Sequence, residues 1–318
     1  MSENIVVSVI CNAYKQEKYI GQCLDSIVCQ KTDFPFEILV HDDASPDRTA
    51  DIIREYEAKY PELIKPIYQT ENKYWTHDGV GIYQYPRAKG EFIAFCEGDD
   101  YWTDENKLQK QVDALRAHPE CDMCAHAAVA VDAENGNVVE VFEPYDHDTI
   151  LTTDEVIMGE GGFLATNSLV YRSYLKDNMP PFRQYMSLDY TIQIHGSLRG
   201  GILYLKDNMS AYRKGVPGSW TSSYNKDIEV KRDLYTRKQH MLDLLDEDTD
   251  KKFHDTIAER KRRNDFEFAF STKDYKTCLK AEYKDLFDKL DTVYKRSFIL
   301  HGKLPHVAMV LDKVRGKK

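Results

Sequence analysis

Short apolar strands alternate with helix-patterned segments over the first hundred residues, and that rhythm restricts the chain to an α/β sheet. Ile5-Val-Val-Ser-Val-Ile-Cys11 is a β-branched run, and Glu17 to Gln30 follows with Tyr19, Ile20, Cys23, Leu24 and Ile27 at helical spacing. Phe36 to His41 repeats the strand, and Thr49 to Tyr60 sets Ile52, Ile53 and Tyr56 on one helical face. Ile64 to Tyr68 offers a third strand, a helix is predicted around Tyr83 to Lys89, and Phe92-Ile-Ala-Phe-Cys96 is a fourth strand. Continuous apolar runs suit parallel strands covered on both faces. The expected architecture is a Rossmann-like, mainly parallel sheet flanked by helices, with its ligand site at the carboxyl ends of the strands.

Those ends are polar. The first strand runs out at Asn12-Ala13-Tyr14, the second at Asp42-Asp43 and the fourth at Glu97-Gly98-Asp99-Asp100-Tyr101-Trp102. A nucleoside diphosphate bound with a divalent ion needs hard oxygen ligands, and closely spaced carboxylates in a loop hold an ion without enclosing it. Glu97, Asp99 and Asp100 are the candidates; the plain alternative is a solvated acidic turn before the helix predicted from Lys107 to His118. Asp42-Asp43 reads either as a turn-former ahead of Pro46 or, from its place at a strand end, as a nucleotide-recognition pair.

From Thr152 the pattern loosens into short elements broken by Gly159-Glu-Gly-Gly162, Pro180-Pro181 and Gly215-Val-Pro-Gly218, which suits substrate-binding loops. After Asn225 the chain becomes charged and helix-like, with Leu234, Met241, Leu242 and Leu245 in one stretch and Phe253, Ile257, Phe266 and Phe270 in another. The expected division is a first domain over 1–225, then a helical region over 226–318.

With 43 Lys and Arg against 53 Asp and Glu, the net charge of −10 argues against a nucleic-acid partner, which needs a cationic footprint. Residues 1–225 carry 20 basic and 35 acidic side chains, whereas 226–318 carry 23 and 18, a net +5. That tail holds Arg260-Lys-Arg-Arg263 and ends Lys313-Val-Arg-Gly-Lys-Lys318 after Val307-Ala-Met-Val-Leu311. Two readings stay open for it: docking on an anionic membrane surface or a partner, or a helical bundle that packs on the first domain or forms a homodimer. Seven cysteines without framework spacing, a start lacking signal-peptide character and the absence of 18 consecutive apolar residues predict a cytoplasmic protein, peripheral at the inner face of the cell membrane at most. Cys121 and Cys124 have zinc or redox spacing but no second pair, so they read as buried structural thiols.

Val7-Ser-Val-Ile-Cys-Asn-Ala-Tyr14, Ile38-Leu-Val-His-Asp-Asp-Ala-Ser45 and Ala88-Lys-Gly-Glu-Phe-Ile-Ala-Phe-Cys-Glu-Gly-Asp-Asp-Tyr-Trp102, in that order, resemble family-two inverting glycosyltransferases with the GT-A fold, close to those that decorate bacterial surface polysaccharides. The resemblance covers about 5–225 and implies a nucleotide-sugar donor, with UDP as its nucleotide, and a glycan or lipid-linked acceptor, so that 1–225 is a glycosyltransferase domain with a nucleotide-sugar half to about 125 and an acceptor half over 126–225. It implies that Asn12 and Tyr14 lie near the base, that Asp43 bonds the base with Asp42 supporting its loop, and that Asp99 meets the ribose or diphosphate. Asp100 is implied to approach a divalent cation, Mn or Mg, with Glu97 standing where many relatives have the first acid of a DxD motif. In Ser187-Leu-Asp-Tyr190, Asp189 falls at the catalytic base, its alternative being a helix N-cap. Phe163-Leu-Ala-Thr-Asn-Ser-Leu-Val-Tyr171 resembles the acceptor-side segment, with Thr166 and Asn167 as hydrogen-bonding groups. Tyr212-Arg-Lys-Gly-Val-Pro-Gly-Ser-Trp-Thr221 resembles a flexible loop over the diphosphate; Gly215 replaces a common His, and Arg213 or Lys214 is the group to neutralise the leaving diphosphate.

Two enzyme classes lose their main signal. No G-x-G-x-x-G follows the first strand, against a dinucleotide oxidoreductase, and no G-x-x-x-x-G-K-[ST] occurs, against a P-loop enzyme. A non-catalytic nucleotide-sugar binder on the same fold is the remaining competitor, and Asp189 argues against it.

Overall fold

The computed structural model describes residues 4–73, 79–186, 188–217 and 228–308. The chain divides into two compact units, Met1–Ser222 and Ser223–Lys318. The boundary expected at Asn225 lies outside the described residues.

In the first unit, β1 (Val7–Ala13), β2 (Phe36–Asp42), β3 (Ile64–Tyr68) and β4 (Phe92–Phe95) stand in the order β3-β2-β1-β4, all parallel. Val7, Val9, Ile10 and Cys11 have no exposed surface, so β1 is covered on both faces, which its unbroken apolar run requires. Helices α1 (Ile20–Val28), α2 (Thr49–Lys59) and α3 (Gly79–Gln84) connect these strands. On α1 the stripe Ile20, Cys23, Leu24 and Ile27 is buried, and each such Ile or Leu contributes roughly 1.5–3 kcal/mol. The helix expected over Tyr83 to Lys89 lies earlier: α3 ends at Gln84 and Tyr85–Arg87 is a 3-10 turn. Pro86 explains the shift, because its ring disfavours α geometry in the residue before it and it donates no hydrogen bond.

Entry into β4 depends on Gly90. A Cβ there would stand 2.4 Å from the main-chain nitrogen of Ser8. Its amide donates to Ser8 Oγ at 2.8 Å, and that hydroxyl donates to buried Glu37 at 2.7 Å.

Beyond β4 come β5 (Tyr101–Trp102), α4 (Lys107–Ala117), β6 (Met123–Asp132), β7 (Val138–Phe142), β8 (Thr149–Leu151) and α5 (Thr153–Gly159). A 3-10 turn over Thr166–Ser168 leads to β9 (Val170–Arg172), α6 (Tyr174–Asp177), α7 (Pro181–Tyr185), α8 (Asp189–Ser197) and β10 (Ile202–Lys214). The sheet continues β4-β9-β6-β10-β5 and has ten strands. β9 is antiparallel to both β4 and β6, so the parallel order ends at β4 and the second half is mixed. β10 runs parallel to β6 and antiparallel to β8 and β5. Tyr212, Arg213 and Lys214, expected in a flexible loop, are therefore strand residues; Gly218 to Thr221 lie outside the described residues. Cys121 and Cys124 are buried.

The second unit contains α9 (Ile228–Asp248), α10 (His254–Ser271), α11 (Tyr275–Cys278), α12 (Lys284–Phe287) and α13 (Thr292–Lys303). Phe266, Ala269, Cys278, Tyr283, Phe287 and Phe298 form its core, with Phe270 stacked on Phe298 at 4.9 Å between ring centroids. The Arg260–Arg263 cluster does not present free charge. Arg260 pairs with Glu267 at 2.6 Å, Lys261 with Asp243, Arg262 with Glu259 at 2.7 Å and Asp285 at 2.9 Å, and Arg263 with Glu259 at 2.8 Å. Lys261 and Arg262 thereby tie α10 to α9 and α12, while the other pairs lie within α10. The basic run over 313–318 lies outside the described residues, and no helix among those described is long and apolar enough to cross a membrane.

Candidate active site

The ends of β1 and β4 are joined before any ligand is considered. Gly98 N–H donates to Asn12 O at 2.9 Å, Asp100 N–H closes the turn on Glu97 O at 2.8 Å, and Asn12 Nδ2 donates to Glu97 Oε1 at 3.2 Å. Asn12 Oδ1 is buried with no hydrogen-bond partner among the described residues. A Cβ at Gly98 would stand 2.3 Å from Gln16 Oε1 and 2.9 Å from the end of the Ile20 side chain, so both side chains pack close against the loop.

Asp100 is held from two sides. Asn167 Nδ2 donates to its Oδ2 at 3.1 Å and the main-chain amide of Arg213 donates to its Oδ1 at 2.9 Å. Asn167 is fully buried and also donates to Ala211 O at 3.1 Å, accepts from Ser210 Oγ at 2.7 Å, and takes the Trp102 indole N–H on its carbonyl at 3.2 Å. Of Arg213 and Lys214, the two candidates for the leaving diphosphate, Arg213 is 8% exposed and its guanidinium donates to Asp99 O and Gln22 Oε1. Its guanidinium carbon lies 5.0 Å from the Tyr19 ring centroid and 4.5 Å from that of Tyr101, a cation–π sandwich.

Crowded carboxyls resist ionisation here. Burial and the neighbouring Asp99 push Glu97 up to about 8, with Asn12 opposing and the charge of Asp189 adding to the rise. Burial also raises Asp99, against the pull of Arg213 and Gln16, and burial with the Asp99 charge raises Asp100 well above the carboxylate range. Among the described residues no three His, Cys, Asp or Glu side chains converge as a metal cluster. Each Asp100 oxygen accepts one hydrogen bond, from Asn167 or from the Arg213 amide. The hard, crowded oxygens of Glu97, Asp99 and Asp100 fit a divalent cation held by one or two carboxylates together with substrate phosphates.

Asp189 opens α8 at its first helical position, with Leu188 at the N-cap, so the capping alternative does not hold. Its Oδ2 instead accepts from Thr166 Oγ1. The residue is solvent-exposed. Desolvation by the protein near it raises its carboxyl above the usual range, and the Thr166 hydrogen bond works in the opposite direction. Tyr190 OH donates to Ile157 O at 2.6 Å and Gln193 Nε2 to Leu164 O at 3.1 Å, which anchor α8 behind it. Ser187 lies outside the described residues.

At the end of β2, Asp42 accepts from Ser45 N–H at 3.2 Å and leaves Oδ1 buried without a partner among the described residues. Asp43 N–H donates to Ala13 O at 3.0 Å, and its Oδ1 accepts from Lys73 N–H at 2.7 Å, so this residue bridges three segments of the rim. Tyr14 is 37% exposed beside them. Sequence reasoning missed Gln16, Gln22 and Tyr19, which support the acidic loop; all lie on the β1–α1 connection or on α1 itself, and no motif marks them.

A parallel half ending in an acidic loop, followed by a mixed half with a helical connection before its last strand, is the GT-A glycosyltransferase architecture. The chain belongs to glycosyl transferase family 2, which its residues 8–178 match. It is 38% identical over 226 residues to the uncharacterized protein Rv1520 of Mycobacterium tuberculosis, a match over 69% of this chain and 61% of that relative's length. Among solved structures it resembles residues 1–349 of S. aureus TarS, with TM-score 0.61, 21% identity and coverage of 96% of this chain and 83% of that one. TarS has also been solved with UDP and with UDP-GlcNAc. The mannosyltransferase PcManGT of Pyrobaculum calidifontis, solved with GDP-Man and Mn2+, aligns with TM-score 0.54 and 16% identity over 100% of this chain and 89% of its own.

Proposed function

We propose that this glycosyltransferase moves a sugar from a UDP-linked donor to a hydroxyl of a glycan or lipid-linked acceptor, with inversion, in bacterial surface polysaccharide synthesis. The observation that carries the reading is Asp189: a carboxylate freed from helix capping, oriented by Thr166 and close enough to the acidic loop to raise Glu97.

In this reading Asp189 takes the acceptor proton while the acceptor oxygen bonds to the anomeric carbon and the bond from that carbon to the diphosphate breaks. One displacement inverts the centre, and general-base help of this kind contributes about 10²–10⁴-fold. Asn12, Tyr14 and Asp43 hold the base with Asp42 behind them, and Asp99 meets the ribose or diphosphate. Carboxylates among Glu97, Asp99 and Asp100 would hold Mn or Mg, which supplies charge neutralisation at the leaving diphosphate. Asp100 and Arg213 keep the loop in shape.

The test is release of UDP from a panel of nucleotide sugars, with and without Mn2+. UDP release from one donor, suppressed by Asp189→Asn, is expected. No release from any donor by folded protein sinks the reading.

A further inference from the structure

Thr166 and Asn167 are neighbours in one 3-10 turn, yet their side chains serve opposite sides of the site. Thr166 Oγ1 donates to Asp189 Oδ2, and Asn167 Nδ2 donates to Asp100 Oδ2 at 3.1 Å. The turn that carries them is fixed. Ser168 N–H donates to Ala165 O at 2.9 Å, Leu169 N–H donates to Thr166 O at 3.1 Å, and Gln111 Nε2 donates to Ser168 O at 2.8 Å. β9 then starts at Val170, pinned between β4 and β6.

An exposed carboxylate rotates unless something holds it. A hydroxyl bonded to Oδ2 stops that rotation and leaves Oδ1 as the oxygen that faces the acceptor. We infer that Thr166 is a positioning residue that aims Asp189, that Asn167 holds the donor loop from the next position in the chain, and that this turn sets the gap across which the sugar passes. The inference rests on the reading of Asp189 as general base. Its physical content is that a peptide unit cannot stretch, so two groups carried on successive residues keep their spacing better than two groups carried on separate loops.

The experiment compares wild type, Thr166→Val, Thr166→Ser, Asp189→Asn and the double variant Thr166→Val/Asp189→Asn for donor turnover, donor KM and melting temperature. Valine matches threonine in shape and lacks the hydroxyl. Thr166→Val is expected to lower kcat by between about 10- and 100-fold with donor KM and melting temperature unchanged. Thr166→Ser should restore most of the rate, and valine should cost nothing further once Asp189 is Asn. On the other side, Ser210→Ala and Asn167→Ala should weaken UDP binding roughly 5-fold by calorimetry, which Thr166→Val leaves alone. Ser210→Ala serves if Asn167→Ala does not fold. Normal kcat in Thr166→Val, failure of serine to restore it, or unchanged UDP affinity in the Ser210 variant overturns the inference with the reading of Asp189 intact. An inert wild type overturns both.

Discussion

The main-chain amide of Arg213 donates to Asp100 Oδ1 at 2.9 Å while its guanidinium donates to the carbonyl of Asp99, so one residue grips two neighbours of the acidic loop. Arg213→Ala deletes the second grip and the sandwich between Tyr19 and Tyr101 but keeps the first. We expect a loss of about 1–3 kcal/mol in urea unfolding, with weaker UDP binding. Arg213→Lys should rescue little, because a single ammonium does not reproduce the guanidinium fork. Wild-type stability in the lysine variant counts against the fork as the cause.

Asp189→Asn preserves size and removes the proton acceptor. Transfer should fall by about 10²–10⁴-fold with folding and UDP affinity retained, as read by turnover and calorimetry on the same preparation. Near-normal transfer by the folded variant removes Asp189 from the chemistry.

Glu97 links stability to pH. Its folded pKa of about 8 lies above the ordinary 4.5, so its contribution to stability is fully present below pH 4.5 and is lost as pH rises through 8. Glu97→Gln cannot ionise and should gain on wild type across that window, seen as a widening gap between urea midpoints from pH 5 to pH 9. Parallel midpoints would place the shift elsewhere.

Divalent ions should matter more to donor binding than to folding, since the loop assembles from internal bonds to Asn12, Asn167 and Arg213. EDTA is expected to abolish UDP binding and turnover while moving the melting temperature little, with Mn2+ or Mg2+ restoring both. Unchanged UDP affinity in EDTA would remove the cation from the donor site.

Gly90→Ala places a methyl group 2.4 Å from the backbone of β1, which has no side chain to move aside. A destabilisation on the order of 1–3 kcal/mol or more is expected, read as the urea midpoint. Ordinary stability would mean that the β1–β4 pairing can open at low cost.

The parallel half was legible because strands buried on both faces must be apolar without interruption, and β1, β2 and β4 write that condition into consecutive residues. The acidic loop was legible for a similar reason, since Glu97 to Asp100 break such a run abruptly. The mixed half was not, because β9 is three residues long and its direction depends on both neighbours. Arg213 read as a loop residue because Gly215, Pro217 and Gly218 dominate its surroundings, while its partners lie far back in the chain. The Arg260–Arg263 cluster looked like free positive charge for a related reason: Asp243 and Asp285, which pair with Lys261 and Arg262, stand 18 and 23 residues away.

β10 is thirteen residues long, meeting β8 where it starts and β5 where it ends, with β6 alongside. A single strand thus works as a crossbeam between β8 and the acidic loop, and its ladder to β6 is interrupted between Leu205 and Ser210. That irregular stretch is where such a beam would flex, so the two ends of the sheet are tied together yet keep one place to yield.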